Sequence, residues 1–442
     1  MTAVPATHRE VRLAVRPRPG EELRAEHFEV AEAPVPVPGP GQVLVRNRVM
    51  SVTAVMRTLM NGDADLFVPP FAEGEPLWGL AVGEVVAAPD RPRVGGRVGA
   101  GRPTGPGDTS GPFGGSGGTG GPFDTGGGSG GPVDAGREAG GLRPGGRGGE
   151  SWGAQGRVTE GPPTGHPRSA DPGPGVGWAG GPPSGVPGAP DGGADPPRPG
   201  DLIEHRFGWR EYAVVDSAEA HRLDPVALPD PAAYLSQGPS AWMGVVRGAD
   251  VRPDDTVFVT GAAGGVGSLA GQIARLRGAK RVIGSTGSPD KADRLLAELG
   301  YDAVVVRGAG PIEDQLREAA PDGLDAVFDN VGGEQLRAAL AVARRGARFA
   351  VVGALSAQAG GGTAAPVQID TVALTDRGIT LRGIALYDHM DVIPEWTAVF
   401  ARGLREGTLS FPHVRLQGIG QAPRALRELL AGRHVGTVLV DL

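Results

Sequence analysis

The segment that most restricts the fold begins at Thr256. From there, strand-like runs (TVFVT, RVIGST, DAVVV, DAVFDNVG, RFAVVGAL) alternate with amphipathic helical runs (SLAGQIARLRG, KADRLLAELG, EDQLREAA, GEQLRAALAVA). Strands separated by helices bury their apolar faces side by side, in a parallel sheet with right-handed crossovers. The first junction adds a chemical constraint. Gly261, Gly264, Gly265 and Gly267 lie between TVFVT and the helix that follows, in the order TGAAGGVGS. With no side chains in the way, the amides at this helix start can approach a pyrophosphate, and the helix dipole adds attraction. That is a dinucleotide site in form. The spacing is not the full G-x-G-x-x-G, and a tight strand-to-helix connection uses similar glycines, so the strand before and the helix after carry the reading.

Which dinucleotide is expected depends on the end of the second strand. An unphosphorylated dinucleotide calls for Asp or Glu there, to accept from the ribose hydroxyls. RVIGSTGSPDK offers Ser285, Thr286 and Ser288, then Lys291. Hydroxyls and a cation suit a 2′-phosphate. Lys291 also reads as a solvated lysine in the first turn of the next helix, and Asp290 beside it counts against the phosphate.

The chain of 442 residues is too long for one ordinary domain. From Val11 to about Ala100 it is β-like (QVLVRNRVMSV, LAVGEVVAA), which predicts a small barrel or sandwich. Residues 101–200 then hold 36 of the 77 glycines and 18 of the 42 prolines, with only seven Leu, Ile, Val or Phe. Such a stretch cannot bury enough apolar surface to offset roughly 1–2 kcal/mol of backbone entropy per residue, and it is expected to be disordered. Strand character returns in PGDLIEHRFGWREYAVVD, so the stretch interrupts one domain. The tail from Ile384 mixes a helix (IPEWTAVFARGLREG) with strands HVRL and TVLVDL and is expected to return to the first domain.

The absence of cysteine excludes disulfides and thiolate metal sites. No run approaches the roughly eighteen apolar residues of a membrane span, and MTAVPATHREVRLAVRPRPG lacks the apolar core of a signal peptide, so a cytoplasmic protein is expected. A formal charge of −7 argues against nucleic acid and anionic membrane as partners, leaving small molecules.

Six separated motifs, GEPLWGLAVGEVV, FGWREYAVVD, FVTGAAGGVGS, GSPDK, FDNVGG and VGALS, occur in that order. Together they resemble the zinc-independent medium-chain dehydrogenases/reductases, specifically the 2-alkenal reductase and prostaglandin reductase branch. The resemblance covers nearly all of the chain outside residues 102–197. It implies an α/β protein with a GroES-like β-barrel domain (1–101 and 198–235), a disordered Gly/Pro-rich insertion (102–197), and a Rossmann doubly wound parallel sheet binding NADP (236–383). A final segment (384–442) returns to the β domain. It further implies NADPH as cofactor, reduction of the C=C bond of α,β-unsaturated carbonyls, and a homodimer.

Position by position, the resemblance places Gly264, Gly265, Val266 and Gly267 on the pyrophosphate and Lys291 at the 2′-phosphate, where the hydroxyl of Ser285 is also expected. Asn330 matches a cofactor-binding asparagine, although it also reads as a turn residue. Gly353, Ala354, Leu355 and Ser356 match the nicotinamide side, with Ile384, Ala385 and Leu386 on the loop beside it. Zinc members of the superfamily carry a His-Glu pair where Gly79 and Leu80 stand, so no metal is expected. Met56, Arg57, Trp242 and Gln358 match the substrate cleft; for the first three, a core or surface role weighs slightly more.

Three positions depart from the family pattern: Gln358 and Arg307 replace tyrosines, and His434 replaces a late asparagine. Arg307 reads equally as a phosphate partner and as a solvated strand-end charge. With the tyrosine at 358 gone, Tyr387 in IALYDHM is the candidate catalytic proton donor, solvent being the alternative. Two other functions stay open: a quinone reductase, and a catalytically silent NADPH binder whose Gly/Pro-rich loop recruits partners.

Overall fold

The structure, a computed structural model, describes residues 3–62, 68–88, 195–360, 362 and 364–442. These residues all belong to one compact unit. Strands β1 (Thr7–Leu13) and β2 (Phe28–Pro34) form an antiparallel pair. Next come β3 (Gln42–Val52), α1 (Val55–Leu59), β4 (Ala81–Ala87), β5 (Leu202–His205), β6 (Tyr212–Asp216) and β7 (His221–Arg222). β3 is the spine of this half: it pairs antiparallel with β4 and β6, and it buries Val43, Val45 and Val49 on one face and Leu44, Met50 and Val52 on the other. β4 pairs directly with β5, Ala81 opposite His205, so the chain leaves the sheet after β4 and re-enters as its neighbour. Of the disordered insertion expected at 102–197, residues 102–194 lie outside the described residues.

The alternation from Thr256 onward folds as expected. The helix α2 (Gly238–Trp242) leads to β8 (Thr256–Val259), α3 (Gly267–Leu276), β9 (Arg281–Thr286), α4 (Pro289–Glu298), β10 (Ala303–Val306) and α5 (Ile312–Ala319). There follow β11 (Leu324–Asp329), α6 (Gly333–Val342), β12 (Ala343–Val351), α7 (Leu355–Gln358), α8 (Thr371–Arg377) and β13 (Thr380–Gly383). All strand pairs of this sheet are parallel, in the order β10-β9-β8-β11-β12-β13. The order reverses between β8 and β11, and the crevice beyond their carboxyl ends is where such sheets take a dinucleotide. The two-residue period sends Val257 and Val259 to one core and Phe258 to the other, all fully buried. Each such burial contributes roughly 1.5–3 kcal/mol before entropy is counted.

The tail divides between the two halves. α9 (Val392–Glu406) precedes β14 (His413–Gln417), α10 (Ala422–Leu430) and β15 (Thr437–Asp441). β15 pairs with the first sheet, antiparallel to β3 and parallel to β14. The helix does not follow: the stripe Val392, Trp396 and Phe400 on α9 is buried in the core of the parallel-sheet half, with Trp242 and Val245. Gly238 makes this possible, since any Cβ there would overlap the Trp396 ring.

Candidate functional site

The turn after β8 is held open from beneath. Gly261 adopts a φ of +62°, in the region that favours glycine, and its N–H donates to Ser285 Oγ (3.0 Å). Ser285 Oγ donates in turn to Gln335 Oε1. A Cβ on Gly267 would overlap the Gly261 carbonyl oxygen and come within 2.7 Å of Ala262 Cα, so only glycine lets α3 start this close to the turn. The Tyr301 hydroxyl fixes that start by donating to the Gly267 carbonyl (2.8 Å). The N–H groups of Gly265, Val266 and Gly267 have no carbonyl partner among the described residues. Three unpaired amides at a helix start form a seat for an anion.

A second layer of the turn comes from distant sequence. Gln237 lies over Gly265, whose missing Cβ would overlap Gln237 Oε1, and Gln237 accepts from Thr437 Oγ1 (3.1 Å). The Gly436 N–H donates to the Ala263 carbonyl (2.9 Å). Sequence reasoning missed Gln237, Gly436 and Thr437, because only tertiary folding brings them to the glycines.

At the end of β9, Ser285 is buried and its hydroxyl is committed to the turn, so in this structure it braces the glycine loop and is not presented to a ligand. The neighbouring Thr286 hydroxyl is buried and without a partner. Lys291, in the first turn of α4, donates to the Gly432 carbonyl (2.6 Å). Burial, then the nearby charge of Arg307, lowers its ammonium pKa. Ser288 precedes α4 without capping it through its side chain.

Beyond β11, Asp329 organises the next loop. Its carboxylate is fully buried, which raises its pKa, and it accepts from Thr260 Oγ1 (2.8 Å) and from the N–H groups of Val331 and Gly332. Thr260 Oγ1 accepts from the Asn330 N–H (2.8 Å), placing Asn330 at the switch point. Gly353 leaves room for the Asn330 side chain, whose Oδ1 a Cβ on Gly353 would overlap. Leu355 N–H donates to the Asn330 carbonyl, and Ser356 Oγ donates to the Val331 carbonyl (2.6 Å), tying the ends of β11 and β12 together. Ile384 continues the rim through its N–H to Val351, followed by Ala385 and Leu386. The structure thus gathers the glycine turn, Asn330, the segment Gly353, Ala354, Leu355 and Ser356, and Ile384, Ala385 and Leu386 at one end of the sheet.

The residues matched to the substrate cleft do not gather in the same way. Arg57 is fully buried, its guanidinium bound to Asn61 Oδ1 and to the carbonyls of Arg18 and Glu21, so it anchors a loop of the β half. Met56 belongs to the core of that half, and a Cβ on Gly79 would overlap its methyl. Trp242 is core in the other half, tilted against Trp396. For these three the core role is what the structure displays; Met56 and Trp242 look like cleft residues in sequence because large apolar side chains serve either purpose. Gln358 lies on α7, which α1 contacts, and the Gly20 N–H to Gly360 carbonyl bond (2.7 Å) joins the two halves nearby. Tyr387 is exposed on the short turn after β13. No cluster of three or more His, Asp or Glu side chains suited to a metal occurs among the described residues.

The family profile "N-terminal domain of oxidoreductase" matches residues 9–101, and the profile "Zinc-binding dehydrogenase" matches 265–402. A putative NADP-dependent oxidoreductase of Bacillus subtilis is 31% identical over 250 residues, which is 55% of this chain and 73% of that protein. The NADP(+)-dependent 2-alkenal reductase of Nicotiana tabacum is 30% identical over 247 residues, 54% of this chain and 71% of that protein. Among solved structures, CurA of Vibrio vulnificus in complex with NADPH has a TM-score of 0.67 at 21% identity, covering 98% of both chains, and shares the fold. The chain therefore belongs to the medium-chain dehydrogenase/reductase superfamily, in the zinc-independent branch of the 2-alkenal and prostaglandin reductases.

Proposed function

We propose that this protein is an NADPH-dependent reductase that saturates the C=C bond of α,β-unsaturated carbonyls. The observation that carries the reading is the pairing of unpaired amides at Gly265–267 with a strand end that bears an orphan hydroxyl and a lysine in place of an acid. A pyrophosphate fits the first and a 2′-phosphate the second. The relatives named NADP-dependent support the same cofactor.

When bound, the reduced nicotinamide supplies a hydride to the substrate β carbon. Asn330, Gly353, Ala354, Leu355 and Ser356 would hold the nicotinamide end of the cofactor, with Ile384, Ala385 and Leu386 at the rim of the site. Their role is orientation, which alone can supply several kcal/mol of rate enhancement. The substrate's enolate oxygen needs a donor. Tyr387 provides it in this reading, because Gln358 carries no acidic proton and Arg57 is sealed in the β half. The α carbon takes a proton from the Tyr387 hydroxyl, which solvent reprotonates, and the saturated carbonyl is complete. β13 is the edge of the parallel sheet and three of its four residues are exposed, which supports a homodimer formed there.

The test is turnover of a panel of 2-alkenals, enones and p-quinones with NADPH and with NADH. Oxidation of 4-deuterated NADPH with deuterium recovered at the β carbon of the product is expected. Turnover confined to p-quinones would assign the protein to quinone reduction, and NADPH binding without oxidation across the panel would make it a silent binder.

A further inference from the structure

The short helix α7 is held by a different half of the molecule at each end. It starts against the parallel sheet, where the Leu355 N–H donates to the Asn330 carbonyl (3.1 Å) and Ser356 Oγ to the Val331 carbonyl (2.6 Å). Just past its end, the Gly360 carbonyl accepts from the Gly20 N–H of the β half (2.7 Å), and α1 packs on α7 beside that bond. Gly20 stands at the tip of a tight turn made by Arg18, Pro19, Gly20 and Glu21. The Glu21 N–H closes it on the Arg18 carbonyl (3.0 Å), and the Arg18 N–H donates back to Glu21 Oε2 (2.9 Å). Proline at the second position and a glycine with φ of +77° at the third are what a type II turn requires. The turn thereby leaves the Gly20 N–H at its tip free to reach across to Gly360.

One guanidinium grips both ends of this turn. Arg57 Nη2, on α1, donates to the carbonyls of Arg18 (2.9 Å) and Glu21 (3.1 Å), while Nη1 donates to Asn61 Oδ1 (3.1 Å). Arg57 is fully buried, these partners are all neutral oxygens, and its Nε has none. Burying a cation on such terms is costly, and an apolar side chain would fill the same place on α1 without that cost. An apolar side chain would not fix where the turn stands. Arg16 holds the entry to the loop separately, through Nη2 on the Phe71 carbonyl (2.7 Å), so the loop does not depend on Arg57 alone to fold.

We propose that Arg57 is a positioning residue for hydride transfer: it sets where the 18–21 turn stands, the turn holds the end of α7 through Gly20, and α7 carries Leu355 and Ser356 toward the nicotinamide side. The proposal rests on the reductase reading and adds to it a mechanical path from the β half to the cofactor site.

The experiment compares the native full chain with Arg57→Gln, Arg57→Lys and Gly20→Ala. Gly20→Ala leaves Arg57 intact and meets nothing within 4 Å, so its only cost is the left-handed backbone, and it tests the path even where Arg57→Gln fails to fold. Amide hydrogen exchange is read first, without nucleotide. Arg57→Gln is expected to speed exchange about tenfold in residues 355–360 as well as in 18–21, and to leave 261–267 unchanged; Gly20→Ala does the same more weakly. Turnover of a 2-alkenal with NADPH is read next. In Arg57→Gln, kcat is expected to fall about ten- to a hundredfold while the Kd for NADPH and the KM for the alkenal stay within about twofold. Arg57→Lys, which keeps the charge without the planar fork, recovers part of that loss. Faster exchange confined to 18–21 in both Arg57→Gln and Gly20→Ala would overturn the path to α7, and an unchanged kcat in a variant whose 355–360 segment has loosened would overturn its role in hydride transfer. A native protein that reduces no 2-alkenal or enone would overturn the reductase reading and the catalytic purpose of Arg57 with it, an outcome told apart from the others because it appears before any substitution.

Discussion

Three neighbouring glycines in one turn should respond to the same substitution in three different ways. Alanine at 264 meets nothing nearer than the Gly261 carbonyl oxygen at 3.4 Å, an ordinary contact. Alanine at 265 strikes the Gln237 amide, a flexible side chain that can swing away and lose its bond to Thr437. Alanine at 267 strikes backbone on both sides, the Gly261 carbonyl and Ala262 Cα, neither of which can rotate clear. The expected costs are therefore within about 0.5 kcal/mol for Gly264→Ala, about 1 kcal/mol for Gly265→Ala and about 3 kcal/mol for Gly267→Ala. Urea denaturation at constant slope measures them. Binding should break the series: a methyl at 264 occupies the space above the free amides, so NADPH affinity falls about tenfold, some 1.4 kcal/mol, in a variant that is otherwise as stable as the native protein. If Gly264→Ala proves as unstable as Gly267→Ala, or binds NADPH as tightly as the native protein, the idea that Gly264 is kept bare for a ligand is wrong.

Ser285→Ala removes the acceptor of the Gly261 N–H and frees Gln335; a loss of about 1–3 kcal/mol is expected in thermal or urea melts, and an unchanged melt would show that the hydroxyl does not brace the turn. His205, buried, donates from Nε2 to Asn47 Oδ1 (2.8 Å) and accepts the Phe207 N–H at Nδ1, while burial and then the charge of Arg210 push its pKa down to about 3. An unfolded histidine titrates near 6.5, so between about pH 6.5 and 3 the unfolded chain takes up the proton first and stability falls as pH falls, by about 3 kcal/mol at pH 4. His205→Gln should flatten that acid limb in melts from pH 7 to 4. Burial raises the adjacent Glu204 to about pKa 7, the opposite sign: its cost appears as pH rises from about 4.5 through 7, so Glu204→Gln should gain stability at pH 8 and none at pH 4.5. Tyr387→Phe should cut enone turnover at least tenfold with NADPH affinity unchanged; full turnover would remove the tyrosine from the mechanism.

The parallel sheet was legible because its signal is local and repeated: each strand and each helix announces its own period, and the glycine turn marks where two of them meet. Asn330 and Gly353 could be named from short motifs, and their adjacency follows once β11 and β12 pair. What the sequence withheld was commitment of polar groups. Ser285 and Thr286 are neighbours with the same chemistry, yet one hydroxyl is tied into the turn and the other has no partner, a difference that depends on Gln335 far along the chain. Arg57 offers a similar case. A cation in a helix near the expected cleft reads as a substrate contact, but the carbonyls of Arg18 and Glu21 surround it only after the loop before β2 has folded over. The placement of α9 was hidden for another reason. Its apolar stripe fits either half, and the choice is made by the absence of a side chain at Gly238.

The loop of residues 432–437 touches the nucleotide seat at both ends, with the Gly432 carbonyl on Lys291 and the Gly436 amide on Ala263, while β15 beyond it is laid against β3. A ribosome delivers the glycine turn long before it delivers this loop. Until the last strand docks against β3, the glycine turn lacks the Gly436 N–H on its Ala263 carbonyl and Lys291 lacks the Gly432 carbonyl. The outer layer of the turn and the edge of the β3 sheet are therefore completed by one and the same segment.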